Sequence, residues 1–143
     1  MVDLRLIVTS TRNATAKATL IARILHDANS SDIPIGVGVN TNDYVPKFPE
    51  QVGFEWWYAA DYNVNDYEGV IHQDGVSAAI DLIHAYGSAA QPIWLISIAP
   101  QGNIYQMLLN GVPVAAIFAC LHAFLLACLH QRPACLTLLC CRP

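Results

Sequence analysis

Three short apolar runs, residues 4–9, 35–39 and 92–98, alternate with stretches of helical periodicity, and this alternation constrains the fold more than any other feature. Leu4-Arg5-Leu6-Ile7-Val8-Thr9 has the near-continuous apolar character of a strand buried on both faces of a parallel sheet. After it, Ala14, Ala18, Ile21 and Leu25 share one stripe while Thr15, Arg23, His26 and Asp27 fall elsewhere, which predicts an amphipathic helix capped by Asn13. Residues 30–34 break that helix and Ile35-Gly36-Val37-Gly38-Val39 resumes an extended run, giving a βαβ unit expected to be right-handed. Asp74 is placed to cap a second helix carrying Val76, Ala79, Ile80 and Ile83 and stopped by Gly87. In the third run only Ser97 is polar, and beyond a turn Asn103 is expected to cap a helix reaching Asn110.

Such alternation implies an α/β fold: a doubly wound, Rossmann-type parallel sheet with helices on both faces. Ligands of these sheets sit beyond the carboxyl ends of the strands. The chemistry is therefore expected at residues 10–13, from Asn40 onward, and at residues 98–103.

Composition divides the chain. All eleven Asp and Glu residues lie between Asp3 and Asp81, and all five cysteines lie between Cys120 and Cys141. A net charge of −4 with only seven Lys and Arg residues lacks the basic stripe that phosphate backbones require, so nucleic acid is not an expected partner. The cysteines contain no C-x-x-C, and Cys120, His122, Cys128 and His130 would not converge from a helix, so neither a disulfide framework nor a zinc site is indicated. No P-loop or G-x-S-x-G elbow is present. The first residues, interrupted by Asp3 and Arg5, lack a signal-peptide pattern, and a cytoplasmic location is expected.

Taken in order, several segments resemble the inosine-uridine preferring nucleoside hydrolases. They are Val2-Asp3-Leu4-Arg5-Leu6-Ile7-Val8-Thr9 with Asn13, Asp32-Ile33-Pro34-Ile35-Gly36-Val37-Gly38, Gln73-Asp74-Gly75-Val76 with Ala79-Ile80-Asp81-Leu82-Ile83, and Ile98-Ala99-Pro100 with Asn103-Ile104. The resemblance covers about residues 2–110. It implies hydrolysis of the N-glycosidic bond of ribonucleosides, with a calcium ion that grips the ribose hydroxyls and activates water for an aspartate base. By the same resemblance, Asn13 would face the ribose and the backbone carbonyl of Ile98 would bind the metal. His72 would lie near a loop that closes over substrate, and Gly102 stands where relatives more often carry Thr. The family's D-x-D-x-G-x-D-D signature is not found in these 143 residues, and no Asp or Glu follows Asp81. The resemblance therefore implies a partial hydrolase-like domain over residues 1–110, by itself inactive.

Other patterns have simpler readings. Gly36-Val37-Gly38 lacks the third glycine of a dinucleotide fingerprint, Thr41 standing in its place, and fits a close-packed strand. Asp61, Asn63 and Asn65 imitate the start of an EF-hand loop, but Asp66 replaces the required glycine and His72 the bidentate Glu. Phe54, Trp56, Trp57, Tyr58, Tyr62 and Tyr67 form either a stacking platform for a nucleobase or a satellite core under a long loop.

Residues 111–143 form an apolar, Cys-rich tail. As a helix, residues 112–129 would extend about 27 Å, close to the thickness of a bilayer core. A noncatalytic, membrane-anchored α/β interaction module is thus the alternative reading; a mispredicted or frameshifted gene end, which also explains why the resemblance stops near Gly111, is the preferred one. A sheet left open at one edge would favour homo-oligomers.

Overall fold

The computed structural model describes residues 3–11, 13–39, 54–88, 90–91, 93–98, 102–112, 117–120 and 136–141. They form a six-stranded sheet in the order β3-β2-β1-β6-β4-β5. The strands are β1 (Asp3–Thr9), β2 (Ile35–Gly36), β3 (Ile71–His72), β4 (Ile93–Ser97), β5 (Ile117–Cys120) and β6 (Leu136–Cys141). Three helices accompany them: α1 (Ala14–Asp27), α2 (Gly75–Tyr86) and α3 (Gly102–Leu109). Two 3-10 turns, Phe54–Ala59 and Val64–Asp66, lie between β2 and β3.

β1 turns alternate side chains to two cores, as the strand period of two requires. Leu6 and Val8 join Val76, Ala79 and Ile83 of α2, Ile93 and Leu95 of β4, and Met107 of α3. Ile7, on the opposite face, joins Ala18, Ala22 and Leu25 of α1 with Ile35 and Tyr67. Helices therefore cover both faces. β1 pairs in parallel with β2, β2 with β3, and β4 with β5.

The expected helix termini form with their expected caps. The Asn13 side chain accepts from Ala16 N at 3.0 Å, and the Asp74 side chain accepts from Ser77 N at 3.0 Å. Left-handed Asn29 ends α1, and Ser30 N donates back to Leu25 O at 2.8 Å. Gly36 and Gly75 bring β2 and α2 into backbone contact: a Cβ on Gly36 would stand 2.6 Å from Gly75 Cα, and Gly75 N donates to Val37 O at 2.7 Å. Close packing, the simpler reading of the Gly36-Val37-Gly38 run, matches this geometry.

Two expectations are corrected. The sheet is mixed, because β6 runs antiparallel to both neighbours, β1 and β4. The tail is not one helix across residues 112–129, since residues 117–120 form β5 along β4; short apolar runs satisfy a buried strand and a buried helix equally. Among the described residues no helix is long and apolar enough to cross a membrane.

Candidate functional site

The carboxyl ends of β1 and β2 are joined to the start of α3 by one buried side chain. Asn103, 1 % exposed, donates from Nδ2 to Thr9 O at 2.9 Å and accepts at Oδ1 from Val39 N at 2.8 Å. Thr11 N donates to Val39 O at 2.9 Å and completes the connection. A Cβ at Gly38 would run into Thr9 O and the Asn103 amide, so glycine lets the two strand ends approach. Asn103 is thus not the helix cap expected from the sequence; it lies within the first turn of α3 and bonds outward.

Lys17 consolidates the same rim. Its buried ammonium donates to Ser10 O at 2.8 Å, to Thr11 O at 3.3 Å and to Thr11 Oγ1 at 3.2 Å. These bonds hold Thr11 at a φ of 61°, a left-handed conformation that a β-branched residue rarely adopts. Thr9 Oγ1 donates to Ala14 O at 2.9 Å, which ties β1 to the first turn of α1. Beside these satisfied groups, the Ser10 hydroxyl is fully buried and has no hydrogen-bond partner among the described residues. An unpaired buried hydroxyl costs about 1–3 kcal/mol, so its persistence at the ligand end of the sheet marks this position.

Both residues singled out by resemblance stand at this end. Asn13 is exposed, with its side chain engaged as the α1 cap. Ile98 is half-buried and directly follows β4. β1 and β4 are not neighbours, since β6 separates them. His72 forms the end of β3, half-buried and in register with Gly36. The rim segments starting at Asn40 and lying between Ile98 and Gly102 fall outside the described residues.

Calcium is the ion that the resemblance implies for this end of the sheet. A cation demanding six to eight oxygens needs carbonyls and carboxylates that are free to turn toward it. Here Thr9 O accepts from Asn103, and Ser10 O and Thr11 O accept from the Lys17 ammonium, itself a cation. No group of three or more His, Cys, Asp or Glu side chains converges among the described residues. The described residues alone do not fit the ion.

The aromatic loop is fastened to α1. Arg23 lies over the rings of Tyr58 and Tyr62, each centroid 5.5 Å away, and its Nε donates to Asp27 Oδ2 at 2.9 Å. Tyr58 OH donates to the same Asp27 oxygen at 2.6 Å, and that bond, with Arg23 next, holds the Asp27 carboxyl below its ordinary pKa. Tyr67 is buried in the α1-side core, with its hydroxyl donating to Ile33 O at 2.5 Å, and burial pushes its pKa up to about 12. Trp57 stays 68 % exposed. Asn63 caps the Val64–Asp66 turn and Asp61 pairs with Arg23 at 3.6 Å, so the EF-hand-like residues have other roles.

Sequence reasoning missed Lys17, Ser10 and the bridging role of Asn103. Lys17 does fall between Ala14 and Ala18 on the buried stripe, a signal that was available. For Asn103 no local signal exists, because its partner Thr9 is 94 positions away. No protein-family model, curated protein or solved structure matches the chain.

Proposed function

We propose that this chain is a nucleoside hydrolase-like α/β domain whose strand-end rim binds the sugar of a small neutral ribonucleoside. The observation that carries the reading is the buried Ser10 hydroxyl, unpartnered among the described residues, at the carboxyl end of β1, where ligands of α/β sheets bind. A ribose hydroxyl both donates and accepts, which matches the unmet capacity of a serine hydroxyl. Asn13, on the adjoining turn, offers an exposed amide near the same strand end. The order of the family-like segments along the sequence supports the choice of a ribonucleoside over other polar ligands.

Binding and hydrolysis separate in this reading. Calcium belongs to the proposed full reaction, where the Ile98 carbonyl would be one of its ligands and the ion would supply an activated water. A carboxylate base is also needed, and none of Ser10, Asn13 and Ile98 supplies one. The test is titration of the chain with inosine and uridine by ligand-observed NMR, beside an assay for released base in millimolar calcium. Expected are saturable binding, weakened at least threefold by Ser10→Ala, and no base release above background. Absence of saturable binding overturns the ribonucleoside reading.

A further inference from the structure

The winding of the sheet reverses between β1 and β4. From β1 the chain moves outward through α1 to β2 and then β3; α2 returns it past β1 to β4, and α3 carries it outward to β5 on the other side. In open α/β sheets the ligand crevice opens at such a reversal, beyond the strands' carboxyl ends. Here the gap is filled. β6 lies in it with Leu136 opposite Thr9, and Thr137 opposite both Val8 and Ser97, so β6 begins at the ligand end, between Ser10 and Ile98.

Several features distinguish β6 from its neighbours. Among the described strands, the other five share one direction and β6 alone opposes them. Antiparallel strands in largely parallel sheets usually stand at an edge, not at the centre. Its ladder with β1 slips between Leu4 and Leu6, and its ladder with β4 extends only over Trp94–Ser97. β1 and β2 are also joined directly, since Ile7 N donates to Pro34 O at 3.1 Å and Ile7 and Ile35 share the α1-side core.

We infer that β6 is a displaceable, autoinhibitory strand: it plugs the crevice at the winding reversal, and a ligand reaches the space between Ser10 and Ile98 only when β6 leaves the gap. The identity of that ligand rests on the ribonucleoside reading; the displacement of β6 does not.

Amide hydrogen exchange tests the displacement in the unmodified chain, because β1 amides alternate in direction. Ile7 N points to β2, so those of Leu6 and Val8 point to β6. Leu6 and Val8 are expected to exchange at least tenfold faster than Ile7 and than Ala18 and Ala22 of α1. Equal rates at all five overturn the inference. A second arm locks the strand: Leu4→Cys, facing Cys140 in register, with Cys120, Cys128, Cys135 and Cys141 changed to Ser. Oxidation is expected to slow Leu6 and Val8 to the rate of Ile7 and to weaken inosine binding at least tenfold relative to the reduced form. Failure of the intramolecular disulfide to form, or measurable inosine binding of equal strength by both forms, also overturns it. Fast exchange relieved by the lock, with no inosine bound by either form, upholds the plug and removes only the ribonucleoside reading.

Discussion

Asn103 and Thr9 are joined by a buried 2.9 Å hydrogen bond that spans 94 positions of the chain, and through it α3 fixes the end of β1. Asn103→Leu leaves Thr9 O and Val39 N without that partner, at about 1–3 kcal/mol for each buried group unpaired. Asn103→Asp keeps an acceptor for Val39 N but turns a carboxylate oxygen toward the Thr9 carbonyl. Urea unfolding at pH 7 is expected to show both variants destabilised, and protonation in acid is expected to restore part of the loss only in the Asp variant.

Lys17→Met keeps the length of the stem and removes the ammonium from Ser10 O, Thr11 O and Thr11 Oγ1. The expected cost is about 1–3 kcal/mol, since a charged donor is lost and acceptors are left buried. The Thr11 turn should relax from its left-handed conformation. Thermal unfolding measures the first effect, and NMR chemical shifts of residues 10–13 the second.

The two caps, Asn13 and Asp74, were legible in the sequence because N-capping depends on residue type and on the few positions that follow. So were β1, α1 and α2, whose periodicity is local. The α3 bridge was not, because an Asn near a helix start fits a cap equally well until its distant partner is known. Lys17 drew no notice in the sequence, since lysine is seldom buried, although its position lies on the buried stripe. β6 was illegible for a third reason: an apolar run states that it will be buried, not which strands it will separate. At the site, the strand-end location followed from the alternation of elements, whereas the unpaired Ser10 hydroxyl is visible only in three dimensions.

Asp74 supplies a pH-dependent contribution. The Ser77 backbone N–H, then its hydroxyl, holds the Asp74 carboxyl below its ordinary value. A depressed carboxylate pKa stabilises the fold above the ordinary value of about 4, and that contribution fades as pH falls through the folded-state value. Asp74→Asn retains the cap and is expected to flatten the acid limb of a stability–pH curve. Asp74→Ala loses the cap as well, costing about 1 kcal/mol at pH 7 in denaturant titrations.

Tyr67 acts at the other end of the scale. Burial raises its pKa to about 12, so its neutral form is the one the fold favours. Its contribution is complete below the ordinary phenol value of about 10 and disappears as pH rises from there through about 12. The pKa values of Tyr58, through its bond to Asp27, and of Tyr62, through burial, are raised too, so ultraviolet titration should show several late phenols, and Tyr67→Phe should remove the component near pH 12. Because Ile33 O then loses its donor, the variant is also expected to be about 1 kcal/mol less stable at pH 7.

The contact between Gly36 and Gly75 has a consequence for sequence drift. Each position is empty of side chain because the other's backbone stands where a Cβ would go. Neither can accept alanine unless β2 and α2 separate, and changing both together only doubles the intrusion. Over evolutionary time the pair would behave as a single locus with one permitted state, while the exposed positions around them, such as Asp81 and His84, remain open to substitution.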